Sequence, residues 1–239
     1  MFKLPDFPAY YTLLDKLGWF ALRFGSVAVL AFLLLPVVVI IPLSFSDSSF
    51  LAYPIEGWSL KCYREMFASD DWSRAAKNSF IVAPLATLLA TALGTLAAMG
   101  LAHTKFFGKS FITGLLIAPM VVPIVVVAVS TYLYFAKWGL NDSYLGLVIV
   151  HAALGAPFVV TTVLATLQSF NHNLVKASLS LGASPLETFF RVTLPVIAPG
   201  VISGALFAFA TSFDEVVVTL FLAGPEQVTL PRQMFTGIR

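Results

Sequence analysis

The chain has 239 residues, 59% of them hydrophobic and 11% charged, with a net charge of +2. Soluble domains carry roughly a quarter charged residues, so this much apolar surface excludes a soluble globule and points to a polytopic membrane protein. The small net charge gives no basic surface for nucleic acid, and a single cysteine, Cys62, excludes an internal disulfide and a thiolate metal cluster.

Residues Met1–Phe24 mix Tyr10, Tyr11, Trp19 and Phe20 with Asp15, Lys16 and Arg23. That is the composition of an N-terminal interfacial segment, with rings at headgroup level and charges in water. It is too polar for a signal-peptide core and is read as retained. A span needs about 20 apolar residues, and the first is expected over about Gly25–Phe45, with Pro36 and Pro42 kinking its second half. A polar loop follows over Ser46–Lys77, and Ser59 is placed to cap a short helix reaching Phe67.

The second span is expected over about Asn78–Leu101. Its small residues, among them Ala90, Gly94, Ala98 and Gly100, predict a central place in the bundle. In the short basic loop after it, Gly108-Lys109-Ser110 resembles the end of a phosphate-binding loop. His103 stands where the first glycine of that pattern belongs, and no strand precedes it, so no nucleotide site is assigned. The third span, about Phe111–Phe135, is broken by Pro119 and Pro123. The fourth, about Tyr144–Leu167, contains Gly155 and Pro157. His103, His151 and His172 show no metal-binding spacing and read as loop-end or helix-packing residues.

A polar segment, Gln168–Pro195, interrupts the apolar runs. Within Val175–Pro195 two short helices are expected. Gly182 ends the first in the left-handed conformation. Ser184, Pro185 and Glu187 open the second as N-cap, first helical residue and capping-box partner, and Pro195 ends or bends it. The fifth span is expected over about Val196–Leu222. It holds Asp214 and Glu215, the only acidic residues inside a predicted span. Carboxylates at membrane depth face protein or water, so the pair reads either as part of a cation path, with Asp214 the better placed, or as structural hydrogen-bonding groups. Tyr132, Tyr134, Phe158, Thr161, Thr162, Phe209 and Thr211 are available to line a path, although such residues on helices mostly pack.

Charge does not orient the chain. Lys3, Lys16, Arg23, Lys105, Lys109, Lys176 and Arg191 lie on the side of the polar segment, and Lys61, Arg64, Arg74, Lys77, Lys137, Arg232 and Arg239 on the other: seven against seven.

The polar segment resembles the signature loop of inner-membrane permease subunits of bacterial ABC importers. That loop runs glutamate-alanine-alanine, three residues, glycine, nine residues, isoleucine, one residue, leucine-proline. Here Ala177 and Ser178 stand at the alanine positions, Gly182 at the glycine with Ala183 after it, Val192 at the isoleucine and Leu194-Pro195 at the end. Lys176 replaces the usual glutamate, which reverses a charge at the contact that the family makes with its ATPase. Asn78-Ser79 is similar to the opening of the permease core. Ser212–Val218 with Thr229-Leu230-Pro231 is most similar to the spermidine/putrescine permeases, and permeases for iron and other small solutes share parts of it.

The resemblance implies an all-α polytopic helical bundle of the type I ABC importer permease kind, in the bacterial inner membrane, with five of six spans visible and the sequence ending before the sixth. It implies residues 25–239 as the transmembrane domain and 168–195 as a cytoplasmic coupling loop. No catalytic, metal or cofactor site is expected in this chain; ATP and magnesium belong to the partner ATPase. The implied partners are a second permease, two ATP-binding subunits, a periplasmic solute-binding protein and membrane lipid, with no nucleic acid. An importer of iron, amino acids or opine-like solutes is the alternative. An intramembrane enzyme requires a Ser/His or paired-Asp cluster that the sequence does not display, and a membrane scaffold leaves the loop spacing unexplained.

Overall fold

The structure, a computed structural model, describes residues 10–48, 53–55, 57–104 and 106–237, without the side chain of His103. Lys3, Lys105 and Arg239, which enter the charge comparison, lie outside the described residues, as do the first nine residues of the interfacial segment. Among the described residues the regular elements are helical, with one isolated bridge between Ser46 and Trp58. The chain divides into two compact units between Ala68 and Ser69.

The first unit is built on α1, Leu13–Leu43, a single helix of 31 residues. Thr12 and Asp15 form a reciprocal capping box at its start, which satisfies amides that the first turn leaves free. At 1.5 Å per residue α1 is about 46 Å long, against about 30 Å of hydrocarbon. The interfacial segment and the first span are therefore continuous, and the helix persists through Pro36 and Pro42. Arg23 lies 4.5 Å over the Trp19 ring. After α1, backbone bonds from Asp47 to Gly57 and from Ser59 to Phe45 close the loop. Ser59 Oγ accepts the Lys61 amide at 3.1 Å, opening α2, Lys61–Ala68.

The second unit holds α3 (Asp70–His103), α4 (Lys109–Ile117), α5 (Ile124–Ala136), α6 (Tyr144–Gln168), α7 (Asn173–Ser180), α8 (Pro185–Thr188), α9 (Leu194–Phe213), α10 (Val217–Leu222) and α11 (Leu230–Gly237). Across the described residues, four helical segments are long and apolar enough to cross a membrane. The α4–α5 pair makes a fifth span if its 99° bend at Pro119–Pro123 is counted within one crossing.

The centre is α6, not α3. Helices α3, α6 and α9 pack against one another, and α5 packs on α10. Thirteen residues of α6 are buried, among them Leu147, Val159, Val163 and Leu167. The small residues that mark α3 do serve close approach, but as a partner's face: a Cβ on Gly94 would stand 2.8 Å from Val159 Cβ. Helix α9 does the same from the other side, where a Cβ on Gly204 would stand 2.8 Å from Val159 Cα, and Gly155 of α6 meets Ala208. At Val159 the neighbours supply the small residues and α6 the bulk, while at Gly155 α6 supplies the small residue itself. Pro157 does not interrupt α6, because neighbouring helices enclose a backbone gap that lipid could not satisfy.

Candidate functional site

Two features of possible function sit at the two ends of α9. At its start is the polar segment. Helix α7 ends at Ser180 with Leu181 as C-cap, and Gly182 follows at φ +91°. The Gly182 amide bonds Leu179 O at 3.0 Å and the Ala183 amide bonds Ser178 O at 3.2 Å, the paired bonds of a Schellman motif. Nothing in the chain lies within 4 Å of a Cβ built on Gly182, so backbone conformation, not crowding, requires glycine. Ser184 Oγ then accepts the Glu187 amide while Glu187 Oε2 accepts the Ser184 amide, completing the expected capping box at α8.

Across this turn Ser178 Oγ and Thr188 Oγ1 are 2.9 Å apart, which ties α7 to α8. Helix α8 does not stop at Pro195. It passes through a wide π turn over Phe189–Thr193, where the Leu194 amide reaches Phe189 O, and runs into α9 with Pro195 in its first turn. Proline lacks an amide and its ring disfavours the preceding turn of an ordinary helix; the π turn lies just before it. Lys176, Ala177, Gly182 and Pro195 are exposed, and Ser178, Ala183 and Leu194 are half-buried. Leu181 is 89% and Leu186 71% exposed, so the hairpin presents an apolar knob.

At the other end, the fifth span is not continuous to Leu222. Helix α9 ends at Phe213, the chain breaks over Asp214–Val216, and α10 begins at Val217. Asp214 and Glu215 thus lie in the break between two helices. Asp214 is exposed, and its amide closes α9 on Ala210 O at 3.0 Å. Glu215 is half-buried, and its Oε1 accepts the Val218 amide at 2.9 Å. The structural reading therefore fits Glu215, and Asp214 is the open carboxylate. Phe213 packs on Phe80 and Phe209, with ring centroids 5.5 and 5.4 Å apart. The Thr161 and Thr162 hydroxyls donate to carbonyls of their own helix.

Sequence reading missed a buried polar node beside this break. His151 of α6 is 1% exposed and places Nδ1 2.8 Å from Ser212 Oγ and Nε2 3.4 Å from Thr219 Oγ1. The available signal was an ionisable residue in mid-span, which defaults to a functional candidate. His151 and Ser212 do form the Ser/His contact that an enzyme would need, but both are buried, leaving no face for a substrate carbonyl.

The start of α3 is built into the same end. Asn78, 1% exposed, donates to Glu226 O and Val228 O at 2.8 Å each and accepts from Tyr144 Oη at 2.7 Å. Ser79 Oγ accepts the Leu230 amide at 2.9 Å. Asn78-Ser79 and Thr229-Leu230-Pro231, far apart in sequence, are two sides of one clamp that holds the segment after α10. Asn78→Leu would leave the Val228 carbonyl without its Asn78 donor and reduce Tyr144 Oη and Glu226 O to their 3.3 Å bond with each other, at about 1–3 kcal/mol per unsatisfied group. The variant is expected to unfold several degrees earlier in detergent and to be cleaved within 223–231 under limited proteolysis; an unchanged melting curve and cleavage pattern would refute the clamp.

Comparison with known proteins bears on this arrangement. The sequence pattern of the family described as "Binding-protein-dependent transport system inner membrane component" matches residues 90–237. The chain is 32% identical over 212 residues to the spermidine/putrescine transport system permease protein PotC of Escherichia coli K12, covering 89% of this chain and 80% of that one. It is 33% identical over 215 residues to the putrescine transport system permease protein PotI of the same strain, covering 87% and 76%. In fold it resembles a chain from the crystal structure of a bacterial ABC transporter involved in the import of the acidic polysaccharide alginate. The TM-score is 0.73 at 15% identity, over 95% of this chain and 81% of the other.

Proposed function

The chain belongs to the family of binding-protein-dependent transport system inner membrane components, the multi-pass permeases of bacterial ABC importers, and on that premise we propose that it carries polyamines, spermidine or putrescine, across the inner membrane. Such a permease works with an ATPase and a solute-binding protein. In the proposed assembly these are two ATP-binding subunits, a second permease and a periplasmic binding protein, and ATP stays on the ATPase.

One observation carries the mechanism: the polar hairpin and the acidic break are the two ends of α9. Twenty residues separate them, about 30 Å, the thickness of the hydrocarbon. The hairpin, with Lys176, Ala177, Ser178, Gly182 and Ala183, docks on the ATPase in the cytoplasm. It is stiffened by the Schellman turn, the capping box and the Ser178–Thr188 contact. With helix continuous from Pro185 to Phe213, movement imposed on α7 passes through Leu194 and Pro195 into α9. The glycine-lined contact with α6 gives α9 a smooth surface to move against. At the far end Asp214 offers a negative charge to a polycation. Identity with two polyamine permeases across most of the chain supports the substrate class.

Proteoliposomes holding the assembled importer are expected to accumulate labelled spermidine or putrescine only with ATP and binding protein. Accumulation of an iron chelate or amino acid instead, with polyamines ignored, would refute the substrate assignment.

A further inference from the structure

The break in the fifth span is held from outside its own chain segment. Ser212 lies two residues before Asp214 and Thr219 lies in the first turn of α10; the His151 ring reaches both. Thr219 Oγ1 also donates to Glu215 O at 3.3 Å, inside the break itself. The tautomer with its proton on Nε2 satisfies every group. Ser212 donates to Nδ1, Nε2–H donates to Thr219 Oγ1, and the threonine proton is left for the Glu215 carbonyl. His151 thus fixes the end of α9 and the start of α10 against α6, the most enclosed of the spanning helices.

We infer that His151 is a positioning residue: by clamping Ser212 and Thr219 across the Asp214–Val216 break, it sets where the open Asp214 carboxylate stands for the substrate. The inference rests on the reading of Asp214 as a substrate contact. It adds a residue that never touches the solute. Any buried histidine must pair its ring nitrogens; what points to positioning is that both partners here are hydroxyls on either side of the Asp214–Val216 break.

The test is spermidine uptake by the assembled importer in proteoliposomes, with half-saturation and maximal rate measured separately. His151→Phe keeps a ring and removes both bonds, and should raise half-saturation about tenfold, as the loss of paired buried groups allows, with a much smaller change in maximal rate. His151→Gln, which can donate and accept, should restore most of the affinity. In a double-mutant cycle His151→Phe should add little to Asp214→Asn, because both act through one carboxylate. Strictly additive effects, or no rescue by glutamine, would overturn the inference while leaving Asp214 as a contact. Unchanged half-saturation in Asp214→Asn alone would overturn the underlying reading and with it the route from His151. Should His151→Phe fail to assemble, Ser212→Ala and Thr219→Val remove the same bonds singly and are read by the same criteria: raised half-saturation supports the clamp and none contradicts it.

Discussion

Gly182→Val is expected to abolish ATP-driven uptake while the importer still assembles in the membrane. The reason is conformational. At φ +91° an L-residue is strained by about 1–2 kcal/mol, and a β-branched one more than most. Relief of that strain requires the turn to unwind, which breaks the Gly182–Leu179 and Ala183–Ser178 bonds and swings α7 away from α8. Because nothing surrounds the missing Cβ, the damage stays in the hairpin and does not reach the core around α6. Substitution should therefore follow tolerance of positive φ, not side-chain size. Gly182→Asn should retain much of the uptake, Gly182→Ala less and Gly182→Val almost none. Loss ranked by volume, with asparagine as damaging as valine, would instead locate the requirement in the surface that meets the ATPase.

Asp214→Asn is expected to raise the half-saturation for spermidine by about ten- to thirtyfold, and Asp214→Glu by much less. Two unit charges 4 Å apart interact by about 4 kcal/mol at an effective dielectric of 20. An exposed carboxylate keeps only a fraction of that, about 1.5–2 kcal/mol where the contact is a charge-assisted hydrogen bond, which corresponds to the ten- to thirtyfold change. Glu215→Gln should have a small effect, since the carboxamide oxygen can still accept the Val218 amide. Uptake kinetics in Asp214→Asn that match the parent protein would remove this carboxylate from the path.

Features fixed by near neighbours were legible in the sequence. The Ser184–Glu187 box and the left-handed Gly182 depend on four or five consecutive residues and stand as read. The break at Asp214–Val216 was not legible, because Val196–Leu222 is apolar enough to read as one helix. The break is stabilised by His151, some sixty residues earlier. The same holds for the centre of the bundle. Small residues mark the helices that approach closely, so α3 and α9 advertise themselves, while the helix they enclose, α6, is rich in Val and Leu and reads as ordinary. Pro157 reads as lying inside the fourth span and Pro195 as ending or bending its helix. One is enclosed by packing and the other follows a π turn, and neither solution has a sequence signature. Asn78-Ser79 was visible as a motif, but its work, bonding the backbone of 226–230, needed the fold.

The proposed coupling requires the hairpin before α9 to meet the ATPase. Cys62 is the chain's one cysteine, so Cys62→Ser gives a silent background in which Leu181→Cys, at the most exposed apolar position of the hairpin, can be cross-linked within the assembled importer. The expected result is a covalent adduct with the ATP-binding subunit whose yield changes when ATP is added. An importer that still takes up polyamine, yet gives no adduct with that subunit from Leu181→Cys or from Ala177→Cys, would contradict it.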